Sequence, residues 1–248
     1  GSFRIPEIME QSGAILREVG TTNKTKAQDY KKAVNHESTG ALLKVHTSNY
    51  RIVGFTEDAS LEELVALGKE VDLPVIYDMG SGLMINLEKY GVEEPTVIDA
   101  LKTGIDVILF SGDKLLGGPQ GGIIAGKKKY IDAMKKHPLA RILRVDKMTL
   151  AAMEATFREY LDMEKAIKEI PVLEMLTRTT EELYNNGLTM KEAIIEKTSF
   201  YNIAIAEVEE RVGGGSAPTS VLQGFALAID SVYIAAEKLE RALRSYRI

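Results

Sequence analysis

The chain has 248 residues, of which 45% are hydrophobic and 27% charged, and its formal net charge at pH 7 is −5. This composition is typical of a globular protein with enough apolar material for a core. The absence of cysteine excludes disulfides and cysteine-based metal sites. The sequence contains no run of about 18 apolar residues, so we expect no membrane span. It has no basic start followed by an apolar signal region, so we expect a cytoplasmic protein.

Charge and histidine placement narrow the possible ligands. The three histidines, His36, His46 and His137, lack the spacing of metal ligands, so we expect no metal site. Residues 127–147 carry eight lysines and arginines against two aspartates, although the whole chain is acidic. Such a segment can bind phosphates or simply form a solvated helix face, and the sequence leaves both interpretations open.

The first half of the chain alternates strands and helices. Apolar spacing predicts strands over residues 14–19, 42–46, 75–78, 107–110 and 123–125, and helices over residues 4–11, 26–34, 61–71 and 96–103. Ser60 and Glu63 have the spacing of a capping box at the start of one helix. This alternation predicts an α/β fold with a mostly parallel sheet of about five strands and right-handed crossovers.

The second half predicts a smaller α+β unit. A long helix is expected from Thr149 to Lys168, with Thr149 as its cap. Further helices are predicted over residues 172–185, 190–197 and 232–244, and strands over residues 203–208 and 220–229. We interpret residues 213–218 as a flexible glycine turn between these strands. The predicted organisation is a partial large domain at 1–148, a linking helix at 149–170 and a small domain at 171–248.

Polar side chains follow three of the predicted strands. Lys114 comes after the strand at 107–110 and precedes a glycine-rich turn, Asp78 ends the strand at 75–78, and Asn49 follows the strand at 42–46. Ligands of parallel α/β sheets bind beyond the carboxyl ends of the strands, so these groups can share one pocket. A lysine and a carboxylate suit pyridoxal phosphate, through a Schiff base and a contact to the pyridinium nitrogen.

Asn49 and a fourth polar residue, Ser111, could make further contacts to the cofactor. Asn49 could bind the phenolic oxygen of the cofactor, and Ser111 could donate to its phosphate. Each assignment has an ordinary alternative, since Lys114 could be solvated, Asp78 could cap the next helix and Asn49 could be a turn residue. Asp113 could influence proton transfers at Lys114 or face away from it.

The segment Ser111-Gly-Asp-Lys-Leu-Leu-Gly-Gly-Pro-Gln120 closely resembles bacterial selenocysteine synthase, the L-seryl-tRNA(Sec) selenium transferase family. The segments that resemble the same family elsewhere are Ser2–Pro6, Val19–Asn23, His46–Tyr50 and Leu139–Lys147. The resemblance covers most of residues 1–165 and continues more weakly beyond them. It implies a fold type I (aspartate-aminotransferase-like) pyridoxal-phosphate enzyme that begins well inside its large domain.

The resemblance also implies an activity. Lys114 would form the Schiff base, Asp78 would keep the pyridinium protonated, and the seryl group of seryl-tRNA(Sec) would pass through a dehydroalanyl intermediate. Selenium from selenophosphate would then give selenocysteinyl-tRNA(Sec). The family assembles as dimers within larger homo-oligomers.

Arg141 and Arg144 match arginines that the family places near the anionic selenium donor. Their spacing would put both guanidinium groups on one face of a helix, where two planar forks can bind a tetrahedral anion. The alternative is a pair of surface arginines.

Two rival hypotheses remain open at this stage. One is a related pyridoxal-phosphate lyase that acts on a small amino acid or an amino sugar phosphate. The other is a catalytically incomplete fragment or relative that serves as an assembly or tRNA-binding scaffold. The presence of both Lys114 and Asp78 counts against the scaffold, and the basic segment 127–147 favours a phosphate-bearing or nucleic-acid partner.

Overall fold

The computed structural model describes residues 5–213 and 215–246. The strands are β1 (Lys24–Thr25), β2 (Leu42–Val45), β3 (Glu57–Asp58), β4 (Val75–Gly80), β5 (Val107–Ser111), β6 (Gly122–Gly126), β7 (Asn202–Arg211) and β8 (Val221–Asp230). The helices of the first half are α1 (Ile5–Gln11), α2 (Ala27–Ala33), α3 (Leu61–Val71), α4 (Val97–Lys102), α5 (Lys128–Lys136) and α6 (Pro138–Ile142). The helices of the second half are α7 (Lys147–Glu159), α8 (Met163–Glu169), α9 (Pro171–Thr177), α10 (Thr180–Ile195) and α11 (Ala236–Ser245).

A four-stranded sheet in the order β2-β4-β5-β6 forms the centre of the first half. Strands β2, β4 and β5 are parallel, because connections that contain helices return the chain to the same end of the sheet each time. Strand β6 is antiparallel to β5, since a short glycine-rich turn joins the two. The expected mostly parallel α/β sheet is therefore confirmed, with four strands instead of about five.

The two faces of the sheet differ in burial along the inner strand β4. Val75, Tyr77 and Met79 are buried in the main core, whereas the alternating residues of the strand remain partly accessible. Side chains of a strand point to opposite faces in turn, so Asp78 projects from the less buried face. The strand thus uses one face for stability and leaves the other for a ligand.

Helix α3 covers the buried face as its sequence predicts. Leu64, Val65 and Leu67 are buried against the sheet. The predicted capping box is confirmed, because the Ser60 hydroxyl accepts from the Glu63 backbone N–H at 3.1 Å and the Glu63 carboxylate accepts from the Ser60 N–H at 2.8 Å.

Several predicted elements of the first half differ in the structure. Residues 14–19 form no strand, and α2 begins after Lys26. The predicted helix 4–11 is confirmed as α1 from residue 5 onward, and residue 4 lies outside the described residues.

The predicted linking helix is two helices. Helix α7 begins at Lys147, because the Asp146 carboxylate caps it by accepting from the N–H groups of Met148 and Thr149. Helix α7 ends at Glu159, and the Asp162 carboxylate caps α8 in the same way. Local capping by two aspartates thus decides where each helix begins.

The second half is organised around the antiparallel hairpin of β7 and β8. The two ten-residue strands pair along their whole length, and α10 packs against them. Tyr184 of α10 contacts Phe225 of β8 edge to face, with ring centroids 5.3 Å apart. This hairpin confirms the predicted strands, and the division into domains stays a prediction. No helix among the described residues is long and apolar enough to cross a membrane.

Tyr160 ties the helical segment to the sheet. Its side chain is buried, and its hydroxyl donates to the Leu116 carbonyl at 2.8 Å. We expect Tyr160→Phe to lower the free energy of unfolding by about 1–2 kcal/mol, because a buried carbonyl would lose its donor. Urea denaturation would measure the change. Tyr246→Phe is the control, since Tyr246 is exposed and should shift the value by less than about 0.5 kcal/mol. An unchanged stability for Tyr160→Phe would contradict the assigned bond.

Candidate active site

Lys114 lies in a packed turn three residues after β5. The Leu115 N–H donates to the Ser81 carbonyl and the Gly117 N–H donates to the Lys114 carbonyl, both at 3.0 Å. Leu115 and Leu116 are buried, whereas Lys114 is half-buried. The scaffold therefore fixes the backbone of the lysine and leaves its side chain accessible.

The glycines of this turn allow helices from the second half to approach it. A Cβ atom at Gly112 would lie 2.4 Å from Cε of Met153, and one at Gly117 would lie 2.3 Å from Cγ2 of Ile170. Gly117 also has φ +75°, a conformation that side chains disfavour. Close packing, more than flexibility, explains the glycine-rich sequence here.

Four segments converge on the Lys114 amine. A Cβ atom at Gly80, the last residue of β4, would lie 3.7 Å from Nζ of Lys114 and 3.1 Å from Oγ of Ser48, which follows β2. A Cβ atom at Gly215, between β7 and β8, would lie 3.8 Å from the same Nζ and 3.7 Å from Cβ of Asn49. The ends of three parallel strands and the distant hairpin loop thus form one site.

Asp78 is the acidic group of this site. Burial raises the pKa of its carboxyl, and the positive charge of Lys114 opposes that rise. The two side chains therefore interact electrostatically, which agrees with their predicted placement at the ends of neighbouring strands.

A cleft of about 610 Å³ opens on the same face of the sheet. Asp78, Ser111 and Arg144 line it together with apolar side chains of β5 and β6 and of the segment before α7. The structure therefore brings three of the predicted site residues to one cleft.

The other predicted residues are placed less closely. Asn49 is exposed but lies against Gly215, beside the lysine. Asp113 is exposed, in contrast to the half-buried Lys114. Arg141 lies in α6, which ends at Ile142, so the assumption that one helix carries Arg141 and Arg144 is wrong. Both arginines are exposed, and the roles of all these residues stay predictions.

Sequence reasoning missed two serines. Ser48 is buried, 8% exposed. Its hydroxyl lies close to the position that a Cβ atom at Gly80 would occupy, and Nζ of Lys114 lies close to the same position. Ser216 is 2% exposed, and its hydroxyl has no hydrogen-bond partner among the described residues. The described residues of 213–218 connect the two strands as predicted, and within this turn Ser216 and Ala217 are buried. No local pattern could place this loop next to residues more than 100 positions earlier.

The residues present fit pyridoxal phosphate. An amine that can hold the cofactor lies close enough to a half-buried carboxyl to influence its pKa, and glycines at 80 and 215 leave room next to that amine. Ser111 lines the cleft with Asp78, where it could donate to a phosphate. The parallel strands, the antiparallel β6 and the lysine after β5 define a fold type I pyridoxal-phosphate-dependent transferase fold.

Comparisons with known proteins agree with this class. The family model described as L-seryl-tRNA selenium transferase matches residues 1–248. The L-seryl-tRNA(Sec) selenium transferase of Alkaliphilus oremlandii is 52% identical over 248 residues, which are 100% of this chain and 53% of that protein. The protein of the same name from Carboxydothermus hydrogenoformans is 51% identical over 245 residues, covering 98% of this chain and 52% of its own length.

A solved structure shares the fold. D-glucosaminate-6-phosphate ammonia-lyase superposes with a TM-score of 0.60 at 18% identity, covering 97% of this chain and 55% of that one. The chain belongs to the L-seryl-tRNA selenium transferase family. It spans about half the length of the curated relatives that it matches.

The coupling between Asp78 and Lys114 can be measured directly. We expect Lys114→Met to raise the pKa of Asp78 further, because it removes the cation that opposes the effect of burial. Titration of the Asp78 carboxyl carbon by NMR would follow the change. Lys114→Arg keeps the charge and should leave the pKa near its starting value. A pKa that falls or stays unchanged in Lys114→Met would show that the two groups do not interact.

Proposed function

We propose that the full-length protein converts L-seryl-tRNA(Sec) to L-selenocysteinyl-tRNA(Sec) with selenophosphate as the selenium donor. Membership of the family along the whole chain carries this proposal. The site supports it, because the lysine and the acid that such chemistry needs lie together at the strand ends.

Each site residue receives a role in this proposal. Lys114 holds pyridoxal phosphate through its amine and is positioned to carry a proton. Asp78 would accept a hydrogen bond from the pyridinium N–H, Ser111 would donate to the phosphate and Asn49 would contact the phenolic oxygen. The bound cofactor supplies an electron sink that eases loss of the seryl hydroxyl. Asp113, beside Lys114 in sequence, would influence proton transfer there.

Arg141 and Arg144 are assigned to the selenium donor. Arg144 lines the cleft with Asp78, and guanidinium groups bind tetrahedral oxyanions through charge-assisted hydrogen bonds. The basic segment 127–147 that contains both arginines adds a positive field for phosphate-bearing partners.

Assembly and location belong to the same proposal. Large apolar side chains are exposed on and after α6, among them Ile142, Leu143 and Met148, at 72–75%. Exposed apolar groups that lie together are typical of association surfaces, which supports dimers and larger homo-oligomers. Because aminoacylated tRNA is a cytoplasmic molecule, we place the reaction in the cytoplasm.

The rival hypotheses are less well supported. The relatives at about 50% identity carry the selenium transferase name, and the likeness to the ammonia-lyase concerns the fold alone. A scaffold role would give no reason for a half-buried carboxyl held beside the Lys114 amine.

Cofactor attachment tests the proposal first. We expect pyridoxal phosphate to produce a visible absorbance band, and we expect borohydride to bleach this band and to fix the cofactor onto Lys114. Lys114→Ala should abolish both effects. Mass spectrometry of the reduced protein would locate the modified lysine. Lys128→Ala, which removes an exposed lysine paired with Asp132, should label normally.

The same measurement should be made on this chain and on the full-length protein. A band in the full-length protein alone would mean that the remaining segments complete the site. Absence of the band from both would refute the role of Lys114 and favour the scaffold.

A variant of Arg144 tests the site proposed for the selenium donor. We expect Arg144→Ala in the full-length protein to raise the KM for selenophosphate about tenfold or more, because a charge-assisted bond to the anion is lost. Steady-state selenium incorporation into seryl-tRNA would give the value. Arg158→Ala is the matched control, since Arg158 lies in α7 and pairs with Glu154. An unchanged KM in Arg144→Ala would remove Arg144 from the donor site.

A further inference from the structure

The turn after β2 carries a hydroxyl to the space beside the Lys114 amine. The position that a Cβ atom at Gly80 would occupy lies 3.1 Å from Oγ of Ser48 and 3.6 Å from Cβ of the same serine. Because the oxygen is closer to this position than the carbon that bears it, the hydroxyl points toward it. Nζ of Lys114 lies 3.7 Å from the same position. The hydroxyl and the amine therefore border one small space.

Gly80 keeps this space open. Its φ of +77° is a conformation that side chains disfavour, so glycine suits the backbone here. A side chain at this position would also begin inside the space, where its Cβ atom would press against the Ser48 hydroxyl at 3.1 Å. Glycine thus leaves the space that the hydroxyl and the amine share without a side chain in it.

Backbone hydrogen bonds fix the hydroxyl relative to the acid of the site. The Ser48 N–H donates to the His46 carbonyl at 3.0 Å, and the His46 N–H donates to the Asp78 carbonyl at 2.8 Å. The His46 ring packs against a buried carboxylate, with its Nε2 atom 3.2 Å from Oε1 of Glu94. Ser48 is itself buried, so its side chain has little room to turn away. The scaffold therefore decides where the hydroxyl points.

A hydroxyl suits an amine whose charge changes. Serine has one O–H donor and two acceptor lone pairs, so it can accept from a charged amine and donate to a neutral one. A carboxylate such as Asp78 only accepts, and it favours the charged amine alone. An amine that alternates between holding a cofactor and carrying a proton passes through both states. Ser48 can stay hydrogen-bonded to Lys114 in either of them.

We infer that Ser48 is a positioning residue for Lys114. Its hydroxyl hydrogen-bonds the amine whenever the amine is not attached to the cofactor, and it keeps the amine at the strand ends. The inference deepens the proposed function and rests on it, because it assumes that Lys114 forms and breaks a bond to pyridoxal phosphate. It gives a role to a serine that the sequence did not single out.

The pH profile of Lys114 reactivity tests this contact without the cofactor. Acetic anhydride acetylates amines only in their neutral form, and mass spectrometry of the labelled full-length, cofactor-free protein gives the rate at each lysine. The exposed Lys128, which pairs with Asp132, is the internal reference. A hydrogen bond that the charged amine donates is stronger than one that involves the neutral amine, so Ser48 favours the charged form of Lys114.

We expect Ser48→Ala to move the midpoint of the Lys114 profile to lower pH by about half a unit to one unit, the effect of one hydrogen bond. Ser48→Cys should move it in the same direction, because a thiol of similar size is a weak acceptor. The cysteine variant fills nearly the same volume, so it decides the question if Ser48→Ala does not fold. Thr47→Ala is the matched control, since Thr47 is exposed on the same turn, and it should leave the midpoint unchanged.

A purely structural role for Ser48 predicts a different pattern. Loss of support for the fold would lower the Tm and change the labelling of Lys128 together with that of Lys114. A Lys114 midpoint that stays in place or rises in the folded Ser48 variants would overturn the inference. An equal movement in Thr47→Ala, or of the Lys128 profile, would also overturn it, because the effect would then not be specific to the Ser48 hydroxyl.

Failure of the proposed function would give a separate result, since the labelling needs neither cofactor nor tRNA. A wild type that attaches no pyridoxal phosphate would refute the proposed function, whatever the labelling shows. In a wild type that transfers selenium, Ser48→Ala should lower kcat about 3- to 10-fold and leave the KM for seryl-tRNA(Sec) unchanged, because the serine acts on the amine. Unchanged kcat and an unchanged labelling profile would refute the role of Ser48 alone.

Discussion

The site depends on holding an amine near a carboxyl group at the carboxyl ends of β4 and β5, the two central strands of the sheet. Lys114 can be half-buried because its neighbours Leu115 and Leu116 anchor the turn in the core. Asp78 can project from the more accessible face of β4 because the opposite face of the strand supplies the core contacts. The unfavourable desolvation of Asp78 is partly offset by the nearby lysine, and this electrostatic pair is what a pyridine cofactor can use.

Packing, more than hydrogen bonding, maintains this arrangement. The glycines at 112 and 117 let Met153 and Ile170 approach the turn, so segments on both sides of the break between α7 and α8 support it. Tyr160 adds one buried hydrogen bond at that break. Since each of these supports comes from the helical segment, we expect stability and site geometry to be coupled in this protein.

The hairpin loop shows how the second half contributes to chemistry as well as stability. Its strands form an independent antiparallel ribbon backed by α10. The connection between them carries Gly215 to the lysine and to Asn49. The candidate site is therefore assembled from both halves of the chain.

The sequence by itself determined the α/β class, the capped helix α3 and the hairpin strands, and it predicted the lysine and the acid that we propose for the site. These features rest on local periodicity, on capping chemistry and on a specific motif, all of which can be read along the chain. It did not determine that residues 14–19 form no strand or that two helices replace the one at 149–170. In the second case, the apolar pattern of the sequence is uninterrupted, but Asp146 caps α7 and Asp162 caps a separate helix, α8.

Only the tertiary structure decided which residues meet at Lys114. Ser48 and Gly80 approach it because β2 and β4 are neighbours in the sheet, and Gly215 does so because the hairpin folds back across more than 100 residues. Arg144 was expected on a helix with Arg141, but it reaches the cleft from a segment beyond the end of α6. Contacts between distant segments depend on how whole elements pack, and no local pattern records that packing.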